Sequence, residues 1–150
     1  SQLDRFALRL SVGYPTREAE RALMKDQRLQ HPIETLGSVC DVTQIRAARE
    51  GVRRVNIHDE IYDYILRLAD ATRSHAKLIV GLSPRGALTL ARCAQANAAL
   101  KGRDFVAPDD VKTLAPFVMS HRLIAAPEVR YSGGTTQIVD EILGSVPIGK

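Results

Sequence analysis

The chain has 150 residues, of which 45% are hydrophobic and 25% are charged, and its formal net charge is +4. This composition is typical of a folded globular domain and excludes a collagen-like, low-complexity or intrinsically disordered chain. No apolar run approaches the ~20 residues that a membrane-crossing helix needs, and the first residues lack a signal-peptide pattern. We therefore expect no membrane association and a cytoplasmic location. The mild positive charge allows contact with phosphates without requiring nucleic acid as a partner.

The first predicted element is a β-strand over residues 6–12. Apolar and polar or small side chains alternate there, and strict alternation places one set on each face of a strand. The apolar face consists of Phe6, Leu8, Leu10 and Val12. Only short further strands are indicated, at residues 53–57, 78–80 and 129–131. We therefore expect the main partners of the first strand to lie before residue 1.

Most of the remaining chain predicts helices, about six in number. Each begins at a residue that suits an N-cap or a first turn: Thr16, Asp41, Asp59, Ser83, Pro108, and Thr135 or Thr136. Asp41 and Gln44 fit a capping box. Pro116 is expected to bend or break the helix that contains it.

Apolar side chains at helical spacing predict which faces are buried. In the helix that begins at Asp41 they are Ile45, Ala48 and Val52, and in the helix that begins at Ser83 they are Ala87, Leu88, Ala91, Ala94 and Ala98. So many alanines on one side predict a close approach between helices. The fold class is therefore mainly α, a helical bundle with a short N-terminal β-strand.

Neither the cysteines nor the histidines form a pattern typical of a metal or redox site. Cys40 and Cys93 have no C-x-x-C partner and no nearby histidine pair. We interpret both as small core residues in a reducing compartment, with a disulfide or a metal site as the alternative. The four histidines lack the spacing of metal ligands, and we predict no metal site in the chain.

One helix start breaks a local rule. Within residues 81–85 (GLSPR), Ser83 suits the N-cap and Pro84 suits the first helical position. Arg85 then falls in the first turn, where the helix dipole disfavours a cation and favours an anion. A bound anion such as a phosphate explains the arginine most simply, and a salt bridge with a nearby carboxylate is the alternative.

Other basic residues have both an ordinary and a functional interpretation. Arg5 directly precedes the predicted strand, and an ion pair with Asp4 or another acid would account for it. A basic stripe, typical of a solvated helix face or a domain contact, consists of Arg46, Arg49, Arg53 and Arg54. Nucleic-acid binding is the alternative for the stripe, although no aromatic residue is interleaved to stack bases.

Taken together, these segments resemble MoxR-type AAA+ ATPases over nearly the whole chain and in the family's order. The similar segments are residues 2–6 (QLDRF), 9–15 (RLSVGYP), 31–32 (HP), 64–65 (YI), 72–73 (TR), 81–85 (GLSPR), 102–111 (GRDFVAPDDV) and 121–123 (HRL). The resemblance implies the end of an AAA+ core domain over residues 1–15 and a helical lid domain over residues 16–150. It therefore implies that the chain is the C-terminal portion of such an ATPase.

The resemblance also implies roles for individual residues. In such ATPases the nucleotide lies between an α/β core and a helical lid, and a neighbouring subunit of a ring completes the site. Arg5 matches the catalytic arginine finger, which reaches the γ-phosphate of ATP on the adjacent subunit. Arg85 matches the sensor-2 arginine of the lid, which contacts the γ-phosphate in its own subunit, and Ser83 and Pro84 belong to the same nucleotide-binding turn.

By the same resemblance, the full-length protein uses ATP and Mg²⁺. We expect neither to be held tightly by this chain alone, and no ATP hydrolysis by it, because it has no G-x-x-x-x-G-K-[ST] loop. The implied partners are the protein's own AAA+ core, a homo-oligomeric ring expected to be a hexamer, and a client protein with a von Willebrand A-domain partner. The implied activity is chaperone-like and couples ATP hydrolysis to maturation or activation of a partner complex.

Two positions depart from the family pattern. Gly86 stands where alanine is usual, and a glycine there lowers helix propensity and could loosen the turn that aims Arg85. Ala107 stands where a capping threonine is usual. Three alternatives remain open: the ATPase subunit of magnesium chelatase, a free-standing helical module that binds nucleic acid or protein, and a structural bundle without a ligand.

Overall fold

The computed structural model describes residues 2–27, 31–127 and 134–149, and within them the chain is mainly helical, as predicted. Two 3₁₀ turns cover Gln2–Arg5 and Pro32–Thr35. Six α-helices follow one another as α1 (Arg17–Asp26), α2 (Val42–Arg54), α3 (Asp59–Arg73), α4 (Pro84–Leu100), α5 (Pro108–Met119) and α6 (Gly134–Ser145). Two short strands, β1 (Leu78–Val80) and β2 (Ile124–Ala125), pair antiparallel.

Contacts along the chain define two compact units. The first unit comprises Ser1–Arg9 and Arg49–Lys150, and the second comprises Leu10–Ala48. Both segments that carry the predicted site, around Arg5 and around Arg85, belong to the first unit. The boundary predicted between residues 15 and 16 stays a prediction.

The core of the first unit lies among α3, α4, α5 and α6. α4 packs mainly against α5 and buries three small side chains, Ala91, Ala94 and Ala98, as the alanine pattern predicted. Leu88 is 52% exposed, so its predicted burial is wrong, and Leu90 is buried instead. Leu90 precedes Ala94 by four residues and therefore lies on the buried stripe, whereas Leu88 lies at its edge.

The two short strands form a small antiparallel sheet beside the helices. Leu78 pairs with Ala125 and Val80 pairs with Ile124. Of the strand indicated at residues 53–57, the structure retains one parallel bridge, between Asn56 and Phe105. The strand indicated at residues 129–131 lies outside the described residues.

Local capping residues begin both α1 and α2. The Thr16 hydroxyl accepts a hydrogen bond from the Ala19 amide over 3.3 Å at the start of α1. Asp41 and Gln44 form both bonds of the predicted capping box, at 2.9 Å and 2.8 Å. Neither α1 nor α2 buries a side chain among the described residues. The predicted burial of Ile45 and Ala48 is therefore wrong, and Val52 is only partly buried. An amphipathic pattern shows that a face is apolar but not what covers it.

The strand predicted over residues 6–12 is absent, since residues 6–16 form neither helix nor strand. A strand needs a neighbouring backbone that satisfies its polar groups. Here the Arg9 amide donates instead to the carbonyl of Phe117 in α5, over 3.0 Å. Phe6 and Leu10, on the face predicted to be apolar and inward, are 63% and 66% exposed.

Three smaller predictions are also corrected by the structure. The break expected at Pro116 does not occur, because α5 continues to Met119 and the buried side chains around the proline hold the helix despite one missing hydrogen bond, while a bend there stays a prediction. Neither Thr135 nor Thr136 is the N-cap of the last helix, because α6 begins at Gly134, and the Thr135 hydroxyl donates to the Ser120 carbonyl over 2.7 Å. Cys40 is exposed and is not a core residue. None of the described helices has the length and apolar character required to cross a bilayer.

Candidate functional site

The predicted site begins at the first turn of α4. Ser83 is the N-cap, and its hydroxyl accepts a hydrogen bond from the Gly86 amide over 3.1 Å. Pro84 occupies the first turn, as predicted. Its missing N–H costs nothing there, because first-turn amides have no partner within the helix.

Buried polar contacts with the end of α3 hold the segment that leads into α4. The Thr72 hydroxyl accepts from the Leu82 amide over 2.8 Å and donates to the Ala69 carbonyl over 2.6 Å. Arg73 Nε donates to the Leu82 carbonyl over 3.0 Å. Gly81 lies so close to α3 that a Cβ would stand 2.6 Å from the Arg73 Cα. The start of α4 therefore has a fixed position relative to α3.

Gly86 has a packing role that the sequence did not indicate. It is buried, and a Cβ at this position would lie 2.5 Å from Leu82 Cδ1 and 3.1 Å from Arg122 Cδ. Alanine would therefore have to displace a buried leucine. In this chain the glycine permits close packing beneath the turn that carries Arg85.

Arg85 is exposed in the first turn of α4. Among the described residues its guanidinium has neither a hydrogen bond nor an ion pair, and its carbonyl accepts from the Thr89 hydroxyl over 2.8 Å. The structure therefore gives no support to a salt bridge with a nearby carboxylate. The Arg85 guanidinium therefore lies beside the first-turn amides without a partner among the described residues, an arrangement that favours an anionic ligand.

The carboxylate that does lie at this helix start belongs to Asp4. The Ser83 hydroxyl donates to Asp4 Oδ1 over 3.2 Å, and Arg122 Nε lies 3.2 Å from the same oxygen. The Arg122 contact is an ion pair by distance, but its N–H direction does not meet hydrogen-bond geometry. Arg5 does not pair with Asp4: it is exposed, and its Nη2 donates to Gln2 Oε1.

Arg122 and His121 contact the backbone carbonyls that follow Arg5. The Arg122 side chain is only 2% exposed, and its Nη2 donates to the Phe6 carbonyl over 2.6 Å. Its Nη1 donates to the carbonyls of Ala7, over 3.2 Å, and of Val118. His121 Nε2 lies 3.0 Å from the Phe6 carbonyl. Sequence reasoning missed these roles, because more than 110 positions separate the partners and an arginine is usually exposed.

A second buried charge, Asp110, ties the end of α4 to the start of α5. Its carboxylate accepts from Arg103 Nη2 over 2.6 Å, from the Ala107 amide over 2.9 Å and from Lys101 Nζ over 3.3 Å. Burial raises the pKa of this carboxyl, but these hydrogen bonds and the Arg103 charge outweigh it and lower the pKa to about 2. Ala107 has no side chain that could cap α5, and the Asp110 amide donates instead to the Ala107 carbonyl over 3.0 Å.

The remaining candidates form no second site in the part of the chain that the structure describes. Cys93 is half-buried, and burial raises the pKa of its thiol, which keeps it protonated and unreactive. No group of three or more potential metal ligands occurs in residues 2–27, 31–127 and 134–149. Within the basic stripe, the exposed Arg53 pairs with Glu50 over 2.7 Å. The interpretation of the stripe stays a prediction.

Comparison with known proteins agrees with this geometry. The family model of the AAA lid domain matches residues 70–142, which include α4 and Arg85. YeaC of Bacillus subtilis is 39% identical over 99% of the chain, and the chaperone MoxR1 of Mycobacterium tuberculosis is 31% identical over 83%. The chain spans 47% and 35% of these two relatives. A shorter match, 39% identical over 56% of the chain, is the magnesium-chelatase subunit ChlI-1 of Arabidopsis thaliana, of which it spans 18%.

A solved structure shares the fold. The crystal structure of a "putative ATPase" from Cytophaga hutchinsonii superposes with a TM-score of 0.86 and 29% identity, over 99% of this chain and 48% of that one. The lid-domain match and the MoxR relative indicate the same family, and the solved structure shares the fold. The chain belongs to the MoxR-type AAA+ ATPases and carries their helical lid domain.

Proposed function

We propose that this chain is the lid portion of a chaperone-like ATPase that couples ATP binding and hydrolysis to the maturation or activation of a partner protein complex. In this proposal Arg85 is the sensor-2 residue, and with Ser83 and Pro84 it forms the lid side of the nucleotide site. Arg5 is the arginine finger, which acts on ATP bound to the adjacent subunit of a homo-oligomeric ring, expected to be a hexamer.

One observation carries the assignment of Arg85. Its guanidinium is exposed and without an ion pair among the described residues, although the Asp4 carboxylate lies at the same helix start. Arg122 and Ser83 already engage Asp4. The positive guanidinium and the first-turn amides would together bind a γ-phosphate favourably. The residues present therefore fit the lid side of a nucleotide site.

Arg5 supports the second half of the proposal. It lies in an exposed 3₁₀ turn, and its one side-chain contact in the described part of the chain is with the neutral Gln2. An arginine that reaches the γ-phosphate stabilises the charge of the phosphoryl-transfer transition state. Its action on a neighbouring subunit requires an exposed position, which Arg5 has.

ATP and Mg²⁺ are the cofactors of the proposed activity. When bound, ATP supplies the γ-phosphate that both arginines contact, and we assign no Mg²⁺ ligand to this chain. The proposed partners are the protein's own AAA+ core, the other subunits of the ring, and a client protein with a von Willebrand A-domain partner. The relative named as the chaperone MoxR1 supports a client protein as a partner, and the von Willebrand A-domain partner rests on the family resemblance alone.

The first experiment replaces the two arginines in the full-length protein. Arg85→Ala and Arg5→Ala are each expected to lower ATP turnover at least ~100-fold, as loss of a transition-state contact does, without lowering the melting temperature. The matched control is Arg92→Ala, because Arg92 is exposed on the same helix and has no side-chain partner within the described residues. Wild-type turnover in both Arg85→Ala and Arg5→Ala would overturn the proposal.

A mixing experiment tests whether the two arginines serve different subunits. An Arg5→Ala subunit keeps its own sensor-2 residue, and an Arg85→Ala subunit keeps its finger. A working interface needs Arg85 in one subunit and Arg5 in the next. In randomly mixed rings an Arg5→Ala subunit is followed by an Arg85→Ala subunit at roughly one interface in four. We expect the mixture to recover roughly that share of wild-type turnover. A mixture as inactive as either variant would show that the arginines do not act across an interface.

Magnesium chelatase is the second candidate, because the chain also matches its ATPase subunit in Arabidopsis. An assay of Mg²⁺ insertion into a porphyrin separates the two. Insertion that depends on the protein and on ATP would favour the chelatase, and its absence alongside client-stimulated turnover would favour the MoxR-type function.

A further inference from the structure

The geometry points to Asp4 as a positioning residue that connects the two proposed nucleotide-contacting arginines within one subunit. Asp4 directly precedes Arg5 in the chain, and its Oδ1 accepts from the hydroxyl of Ser83, two residues before Arg85. This inference rests on the proposed function, since it assumes that both arginines act on ATP.

Asp4 has little freedom to release these contacts. The Arg122 side chain is 2% exposed, so its charge needs a partner close by, and Asp4 Oδ1 lies 3.2 Å from its Nε. Loss of that partner would leave a buried cation without its counter-charge, which is strongly unfavourable. Asp4 is itself 27% exposed, so water reaches only part of its side chain.

The same arginine fixes the chain on the other side of Arg5. Arg122 donates to the carbonyls of Phe6 and Ala7. The residue before Arg5 and the two residues after it are thus bound to one buried guanidinium. The turn that presents Arg5 is therefore tied to the start of α4 by the bond from Ser83, and to the residues that follow α5 by the bonds from Arg122.

A physical consequence follows for the ring. When ATP binds to a subunit and engages its Arg85, any displacement of the first turn of α4 is transmitted through Ser83 and Asp4 to Arg5. In the proposed function Arg5 contacts ATP bound to the neighbouring subunit. Through Asp4, the orientation of Arg5 therefore depends on whether the subunit that carries it has bound ATP. By linkage, the effect on nucleotide affinity is reciprocal.

Steady-state kinetics of the full-length protein test this inference. Asp4→Ala is expected to lower kcat roughly 10–100-fold with KM nearly unchanged, because a catalytic group displaced by about 1 Å costs about that much. When Arg5 is already alanine, adding Asp4→Ala is expected to lower kcat no further. The matched control is Asp63→Ala, because Asp63 is exposed and has no side-chain partner in the described part of the chain.

A second variant covers the case in which Asp4→Ala fails to fold. Ser83→Gly removes the hydroxyl that joins Asp4, while glycine is tolerated at an N-cap, so α4 is expected to form. Hydrogen exchange of the Arg9 amide, which donates to the Phe117 carbonyl over 3.0 Å, then reports on the segment after the finger. We expect a non-hydrolysable ATP analogue to change its exchange rate in the wild type and to leave it unchanged in Ser83→Gly.

The outcomes separate this inference from the proposed function. If Arg5→Ala and Arg85→Ala lose turnover while Asp4→Ala and Ser83→Gly behave like Asp63→Ala, the inference is overturned and the function stands. Multiplicative losses from Asp4→Ala and Arg5→Ala would also overturn it. Wild-type turnover in both Arg5→Ala and Arg85→Ala would overturn the function itself.

Discussion

Arg103 donates a 2.6 Å hydrogen bond to the carboxylate of Asp110, whose side chain is fully buried at the start of α5. Asn97 donates to the same carboxylate over 2.9 Å and Lys101 over 3.3 Å. The Asp110 carboxylate on α5 thus accepts hydrogen bonds from α4 and from the turn that follows α4. The junction between the two helices that pack most extensively depends on this carboxylate being ionised.

Asp110→Asn is expected to destabilise the chain by about 2 kcal/mol at neutral pH, the free energy that corresponds to its lowered pKa. The folded pKa, about 2, lies below the ordinary value of 3.8. The stabilisation is therefore complete above about pH 4 and is lost as the pH falls towards 2. Urea unfolding at pH 7 and over the acid range measures it.

The control for that experiment is Asp109→Asn, because the neighbouring Asp109 is exposed. We expect the control to change the free energy of unfolding by less than about 0.5 kcal/mol, as surface substitutions do. Equal destabilisation by the two variants would contradict the role assigned to Asp110.

Gly86→Ala tests the packing beneath the Arg85 turn. Alanine improves helix propensity by about 1 kcal/mol over glycine, but here its Cβ would stand 2.5 Å from Leu82 Cδ1. Overpacking costs about 1–3 kcal/mol, so we expect a net loss in the free energy of unfolding. Gly51→Ala in α2 is the control, since no atom lies within 4 Å of its added Cβ. If Gly86→Ala raised the free energy of unfolding as much as Gly51→Ala does, the packing argument would be wrong.

Thr72→Val tests the anchor of the segment that leads into α4. The substitution keeps the shape of the side chain but leaves the buried Leu82 amide without its acceptor. We expect a loss of about 1–3 kcal/mol in the free energy of unfolding, the cost of an unsatisfied buried donor. Thr72→Ser retains the hydroxyl and is expected to lose less, and the two measured together separate the hydrogen bond from the packing.

The isolated 150-residue chain is expected to show no ATP turnover. Residues 144–150 (GSVPIGK) match part of the G-x-x-x-x-G-K-[ST] pattern, but Gly144 and Ser145 lie in α6 rather than after a strand, as a phosphate loop requires. No apolar strand that ends in paired acids, which hold Mg²⁺ in such ATPases, occurs among the described residues either. A phosphate-release assay on the purified chain, with the full-length protein as the positive control, measures this. Turnover that survives purification and is abolished by Arg85→Ala would refute the expectation.

How far the sequence predicts the structure depends on the separation of the interacting residues. The Asp41–Gln44 capping box and the Ser83 cap involve residues three apart, and both were predicted correctly. The burial of Ala91, Ala94 and Ala98 follows from helical periodicity and was also predicted. Arg122 and Asp4 are 118 positions apart, and no local pattern indicates that they meet.

The strand prediction was wrong for a related reason. Alternation at residues 6–12 predicts a pleated segment, but a strand exists only when another backbone pairs with it. In this chain the Phe6 carbonyl is bound by side chains, and the Arg9 amide by the end of α5. The roles of Arg5 and Arg85 came from the family resemblance and stay predictions until the variants are measured.

The hold on the segment after Arg5 uses main-chain oxygens, which has a consequence for protein engineering. Arg122 and His121 contact the carbonyl of Phe6, whose side chain is 63% exposed. A carbonyl is the same in every amino acid, so residues 6 and 7 are open to substitution without loss of the grip. Fluorescent or spin-label probes attached there would report on the finger from a position a few ångströms away while leaving its anchorage intact.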